Sequence, residues 1–181
     1  ESGIGLLCTG QIARSFNLPF RGGGGLNSSQ SVDAQAGYQT LMTMLPTFLA
    51  GTNVVLHTAG WLEGGLVSSY DKFVVDVEIL QSLIAEFTPL EFNEASLAFD
   101  AHQEVGHGGH FLGAAHTMER FRDCFYRPFL TNSDNFDRWT RLGAKDTRAR
   151  AEEIWKKKLE EYQAPELDSS ILTGLTDFVA K

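Results

Sequence analysis

Two short apolar segments, each ending in one polar residue and separated by about one helix of chain, most constrain what this sequence can fold into. Leu18–Arg21 runs directly into Gly22, Gly23, Gly24 and Gly25, and Asn53–His57 is β-branched and uncharged until its last residue. The second run marks a buried strand, the habit of parallel sheets, and the first reads as a strand ending in the glycine loop. Between them, Asn27–Ser31 offers N-cap chemistry for a helix from about Asp33 to Leu49, which Gly51 ends. Ile4, Leu7, Cys8, Ile12 and Phe16 have helical spacing and stop at Asn17 and Pro19. Thr58–Ser69 reads as a loop, and Ser69 caps a helix whose Phe73, Val77, Leu80, Ile84 and Phe87 form the stripe expected to face the core. Helix, strand, loop, helix, strand, loop, helix is the rhythm of βα units on a parallel sheet. Two units cannot close a (β/α)₈ barrel, which needs about 250 residues, so the expectation is a fraction of one.

Beyond Pro89 the strand signal fades. Helices are expected over Glu94–Glu104, His110–Phe125 and Leu167–Val179, with the strongest over Ala144–Tyr162. The net charge of -8 argues against a nucleic-acid binder. The basic residues between Arg138 and Lys158 alternate with acidic ones, as on a solvated helix face. No segment reaches the roughly 18 apolar residues of a membrane span, because Leu41–Leu56 is interrupted by Pro46, Gly51 and Asn53. Cys8 and Cys124 are too few for a disulfide framework and are expected to be reduced. The chain opens at Glu1 with neither Met nor a basic leader, so a cytoplasmic protein with an upstream part is expected.

Chemistry concentrates at the two strand ends. The glycine run lacks the Lys-Ser/Thr of a phosphate loop, and Asn27 stands where a dinucleotide fingerprint needs its third glycine. It reads as a loop that lets a ligand or a bulky side chain approach the backbone. His57 closes an otherwise apolar strand at the end that faces the site in parallel α/β folds. Arg21 holds the corresponding place on the preceding strand. Trp61, Glu63 and Tyr70 follow in the next loop. The two aromatic rings either cradle an amine by cation–π attraction, about 0.5–2 kcal/mol each, or simply pack under that loop. His102, His107, His110 and His116 lack a zinc-site pattern, so no metal is expected.

Four segments in order, 18–30 (LPFRGGGGLNSSQ), 32–38 (VDAQAGY), 53–66 (NVVLHTAGWLEGGL) and 108–117 (GGHFLGAAHT), resemble the trimethylamine:corrinoid methyltransferases and their non-pyrrolysine relatives. The resemblance covers nearly the whole chain. It implies the C-terminal portion of a (β/α)₈ TIM barrel with additional C-terminal helices. Residues 1–100 would be the last βα units, and 101–181 a loop plus a helical extension of the same domain. It also implies methyl transfer from trimethylamine to the Co(I) centre of a cognate corrinoid protein. The corrinoid (cobalamin) belongs to that partner, so this chain is expected to bind no cofactor of its own, and a homo-oligomer is expected. Archaeal members carry a catalytic pyrrolysine in such a glycine-rich region, and the mapping places it at or near Gln30. An ordinary glutamine there is a departure from that pattern. The alternative is a relative without pyrrolysine acting on a quaternary amine such as glycine betaine, with Arg21 and His57 holding its carboxylate. A non-catalytic barrel fragment that only binds the corrinoid protein is a further alternative.

Overall fold

In the computed structural model, which describes residues 1–180, helix α3 (Tyr70–Phe87) is the element on which the others assemble. Ser69 starts it as expected: the Ser69 hydroxyl accepts the Lys72 N–H and satisfies one orphan donor of the first turn. Helix α2 (Ala34–Leu49) and helix α8 (Thr147–Glu160) both pack on α3, and α1 (Ser2–Ser15) lies against α2. The cap of α2 is Asp33 rather than the polar run before it. Its carboxylate accepts the Ala36 N–H at 3.0 Å and the Ser29 hydroxyl at 2.9 Å. The Ala36 N–H, then Ser29, hold that carboxyl below its ordinary range.

The two strand segments lie side by side and parallel, with α2 as the crossover between them, the order of a βαβ unit. Their pairing contracts to one bridge, between Arg21 and Val54. Around it, Asn53 N–H donates to Phe20 O at 2.8 Å, Gly22 N–H to Val54 O at 3.1 Å and Gly25 N–H to His57 O at 3.0 Å. The ladder stops because Gly23 and Gly24 take φ of +73° and +145°, outside extended backbone. What approaches the glycine run is protein. A Cβ on Gly24 would meet Leu56 O at 2.9 Å, one on Gly25 the Thr58 carbonyl, and one on Gly23 the Thr47 side chain.

The expected loop 58–69 contains a small hairpin, β1 (Trp61–Leu62) antiparallel to β2 (Val67–Ser68). Two-residue strands leave no alternation to read, and only Gly64-Gly65 signals the turn.

Helix α3 buries a different face from the apolar stripe. Lys72, Val74, Asp76, Glu78 and Leu83 are buried, while Phe73 and Ile84 are 53% and 56% exposed. Charged residues can be buried here because each finds partners. Glu78 accepts backbone N–H groups from Phe129, Leu130 and Thr131 at 3.1, 3.3 and 3.2 Å, and the Thr131 hydroxyl at 2.7 Å. That pins 129–131 onto α3, where Val74, Leu130 and Ala151 form a core with Val75, Ile154 and Trp155.

The single helix expected over 94–104 is two, α4 (Glu94–Leu97) and α5 (Phe99–Val105), broken at Ala98 with φ 53°. The one expected over 110–125 shrinks to a 3₁₀ turn and α6 (Ala115–Arg120). A short helix, α7 (Phe136–Arg141), is too brief to carry a periodic signal; Asn135 caps it. Helix α9 (Ser169–Val179), capped by Asp168, is exposed throughout. Among the described residues no helix is long and apolar enough to cross a membrane.

Candidate functional site at the strand ends

Parallel pairing of Arg21 with Val54 sets Arg21 behind His57 along the two segments, and the His57 carbonyl takes the Gly25 N–H beyond the bridge. Both side chains are exposed. His57 adopts φ 57°, a left-handed conformation that a histidine tolerates better than most residues. There the ring meets Trp61 edge-on, with centroids 5.4 Å apart and planes at 74°. Trp61 and Tyr70 line one cavity of about 460 Å³ with Phe73, Ser68, Ser69 and Gly60. Tyr70 is divided between two roles, because its ring also stacks on Trp155 of α8 at 5.1 Å. The Trp155 indole N–H donates to Asp71 at 2.6 Å, which holds that stack in place.

The chain after the glycine run is stapled to the hairpin. Asn27, buried, donates from its amide to Trp61 O at 2.6 Å, Gly64 N–H donates to Asn27 O at 2.7 Å, and Glu63 N–H donates to Ser29 O at 2.9 Å. Glu63 and Gln30 therefore sit on neighbouring exposed backbone, Glu63 with φ 51° at the hairpin turn. Gln30 itself donates to Ser28 O at 2.9 Å. A larger cavity of about 810 Å³ opens between α1 and α2, and neither cavity takes in Arg21, Gln30 or His57.

Three functional candidates had no sequence signal: Thr40, Lys72 and Asp76, each fully buried. Lys72 and Asp76 form an ion pair one helical turn apart. Burial pulls the Lys72 ammonium down and pushes the Asp76 carboxyl up, and each partner's charge opposes the other's shift. An i,i+4 Lys/Asp spacing alone reads as a surface pair, so only the packing reveals it. The histidines disperse: His102 meets Phe111 edge-on and the His116 ring bonds Ala95 O at 2.6 Å. Among the described residues no three His, Cys, Asp or Glu side chains converge as a metal site.

With this geometry in place, comparison with known proteins is decisive about kinship. The sequence profile of trimethylamine methyltransferase (MTTB) matches residues 1–181. The chain belongs to the trimethylamine methyltransferase family. Within that family it is 40% identical over all 181 residues to a glycine betaine methyltransferase of Desulfitobacterium hafniense, of whose length it spans 38%. It is 30% identical over 181 residues to a trimethylamine methyltransferase of Methanosarcina mazei, spanning 36% of that protein. A trimethylamine methyltransferase of Desulfitobacterium hafniense matches at 30% over 178 residues, 97% of this chain and 36% of that one. The chain thus spans little more than a third of the length of these family members.

Proposed function

We propose that this chain is the site-bearing part of a methylated-amine methyltransferase that passes a methyl group to the Co(I) of a corrinoid protein, and that its amine is quaternary. The observation that carries the choice of amine is the identity of 40% to a glycine betaine methyltransferase, against 30% to the trimethylamine enzymes. The glutamine at position 30 points the same way. A quaternary nitrogen already carries the charge that makes it a leaving group: the methyl carbon–nitrogen bond breaks, its electron pair stays on nitrogen, and a neutral tertiary amine departs. No residue need protonate or trap the amine. A tertiary amine needs such activation, the role assigned to pyrrolysine, and Gln30 has no comparable electrophile.

The strand-end residues suit a betaine. Arg21 offers a fork matched to a carboxylate and His57 a second donor, both exposed and outside the aromatic cavity, with His57 linked to it by its edge-on contact with Trp61. The Trp61, Tyr70 and Phe73 rings bound a cavity of a size and polarity that fit methyl groups on a cation. The protein's contribution is orientation of the methyl carbon and exclusion of water. The parallel segments flanking α2 are, in this reading, two staves of a (β/α)₈ barrel in a cytoplasmic homo-oligomer. The expectation that put trimethylamine first is thereby reordered, with the tertiary amine as second reading.

The test uses the full-length protein, a reduced corrinoid acceptor protein, and glycine betaine or trimethylamine. Methyl-cobalt absorbance should appear with betaine, together with dimethylglycine. Turnover of trimethylamine alone would replace the quaternary reading with the tertiary one, and turnover of neither would end both.

A further inference from the structure

The buried ion pair is not used by the reaction proposed above, yet its bonds end on both strand-end loops. From α3, Asp76 accepts the Gly60 N–H at 2.8 Å, one residue before Trp61. Lys72 bonds the other oxygen of the same carboxylate and donates to the Thr40 hydroxyl on α2 at 2.8 Å. That hydroxyl in turn lies 3.4 Å from Gly25 O in the glycine run. Gly25 closes the circuit by donating its N–H to His57 O at 3.0 Å. Three side chains from two helices thus tie Gly25, His57 and Gly60 to one buried point.

We propose that Thr40, Lys72 and Asp76 are positioning residues that clamp the glycine run and the 57–61 segment in fixed register, so that His57 and Trp61 are presented together to the amine. The proposal rests on the reading that those two residues face substrate. A buried ion pair is weak as a source of stability, because hydrocarbon of the same volume often serves equally well. What hydrocarbon cannot supply is a directed acceptor for the buried Gly60 N–H. Gly60 has φ +88° and little room, since a Cβ there would sit 3.3 Å from Phe73. Asp76 holds its N–H, while the Ser69 N–H holds its carbonyl at 2.9 Å, so the clamp acts on the N–H side of Gly60. A displacement of about 1 Å in a positioning element can cost up to a hundredfold in rate.

The test compares full-length wild type with Thr40→Val, Thr40→Ser and the double variant Lys72→Met/Asp76→Leu, by amide hydrogen exchange and by glycine betaine kinetics. Exchange over residues 22–27 and 57–64 should accelerate about tenfold or more in Thr40→Val and the double variant, with α8 unchanged. KM for betaine should rise about tenfold in the same two proteins, and Thr40→Ser should restore both readouts. A purely structural pair would instead give a double variant with native loop protection and native KM, and that result overturns the proposal. So does faster loop exchange with KM unmoved. If the double variant does not fold, Thr40→Val carries the comparison alone. If wild type demethylates neither amine, the functional reading fails, and the exchange rates in these variants still decide the clamp.

Discussion

Arg21 and His57 illustrate how far single residues can be read. An otherwise apolar strand that ends in one polar residue advertises that residue, because nothing in packing asks for it there. Their neighbourhood on adjacent parallel segments follows from the Arg21–Val54 bridge. Arg21 is exposed, so the loss of its hydrogen bonds to a carboxylate costs about 1.5–3 kcal/mol, and on the proposed betaine reading Arg21→Ala should lower demethylation about ten- to a hundredfold. Trimethylamine has no carboxylate, and its turnover, where present, should be far less affected. Parallel kinetics on the two amines checks this, and equal losses on both would assign Arg21 to the shape of the glycine run instead. The glycines show the opposite balance. Their clustering was visible, but their cause is the close approach of the Leu56 and Thr58 carbonyls and the Thr47 side chain, which no local pattern encodes.

Among the elements, α3 gives the clearest lesson. Its start at Ser69 was legible because capping is local chemistry between residues three apart. Its buried face was not, since hydrophobic periodicity assumes that charge lies outward. Glu78 violates that assumption by serving 129–131, more than fifty residues along the chain. Removing its carboxylate would leave the buried Leu130 N–H without an acceptor, at about 1–3 kcal/mol, and release the half-buried N–H groups of Phe129 and Thr131. Glu78→Ala should therefore destabilise the protein by about 3 kcal/mol and loosen α8, because Leu130 and Ala151 share one core. Denaturant unfolding measures this; a change below about 1 kcal/mol would mean that water replaces the carboxylate at no cost.

At the scale of the whole molecule, the accessible surface is 13618 Å² for 20.0 kDa. Size scaling for a compact monomer gives about 8,700 Å². The excess is apolar in good part: Ile4 and Ile12 on α1, Phe16 just after it, Phe73 and Ile84 on α3, and Ile171, Leu175 and Phe178 on α9 are all more than half exposed. Such faces demand cover. The 181-residue chain expressed by itself should therefore bind a hydrophobic dye strongly and elute in light scattering above its monomer mass. A monodisperse 20.0 kDa monomer with no dye binding would show that these faces are tolerated in water.

What the sequence determined by itself is what neighbouring residues settle among themselves: most helix spans, the Ser69 cap, the stop at Gly51, the two apolar segments, and the four motifs that mark the family. The parallel pairing of the two segments was also legible; tertiary structure alone decided that it contracts to the single Arg21–Val54 bridge, that Trp61 begins a hairpin, and that Tyr70 stacks on Trp155. It also decided that Lys72 and Asp76 lie inside. The division has one physical reason. Capping and periodicity are set by residues within a turn or two of one another, whereas a buried charge is stable only beside a partner that the folded chain delivers. The partners of this pair, Thr40 and the backbone of Gly60, come from elsewhere in the chain, so the charges look like surface residues until the fold brings those groups together.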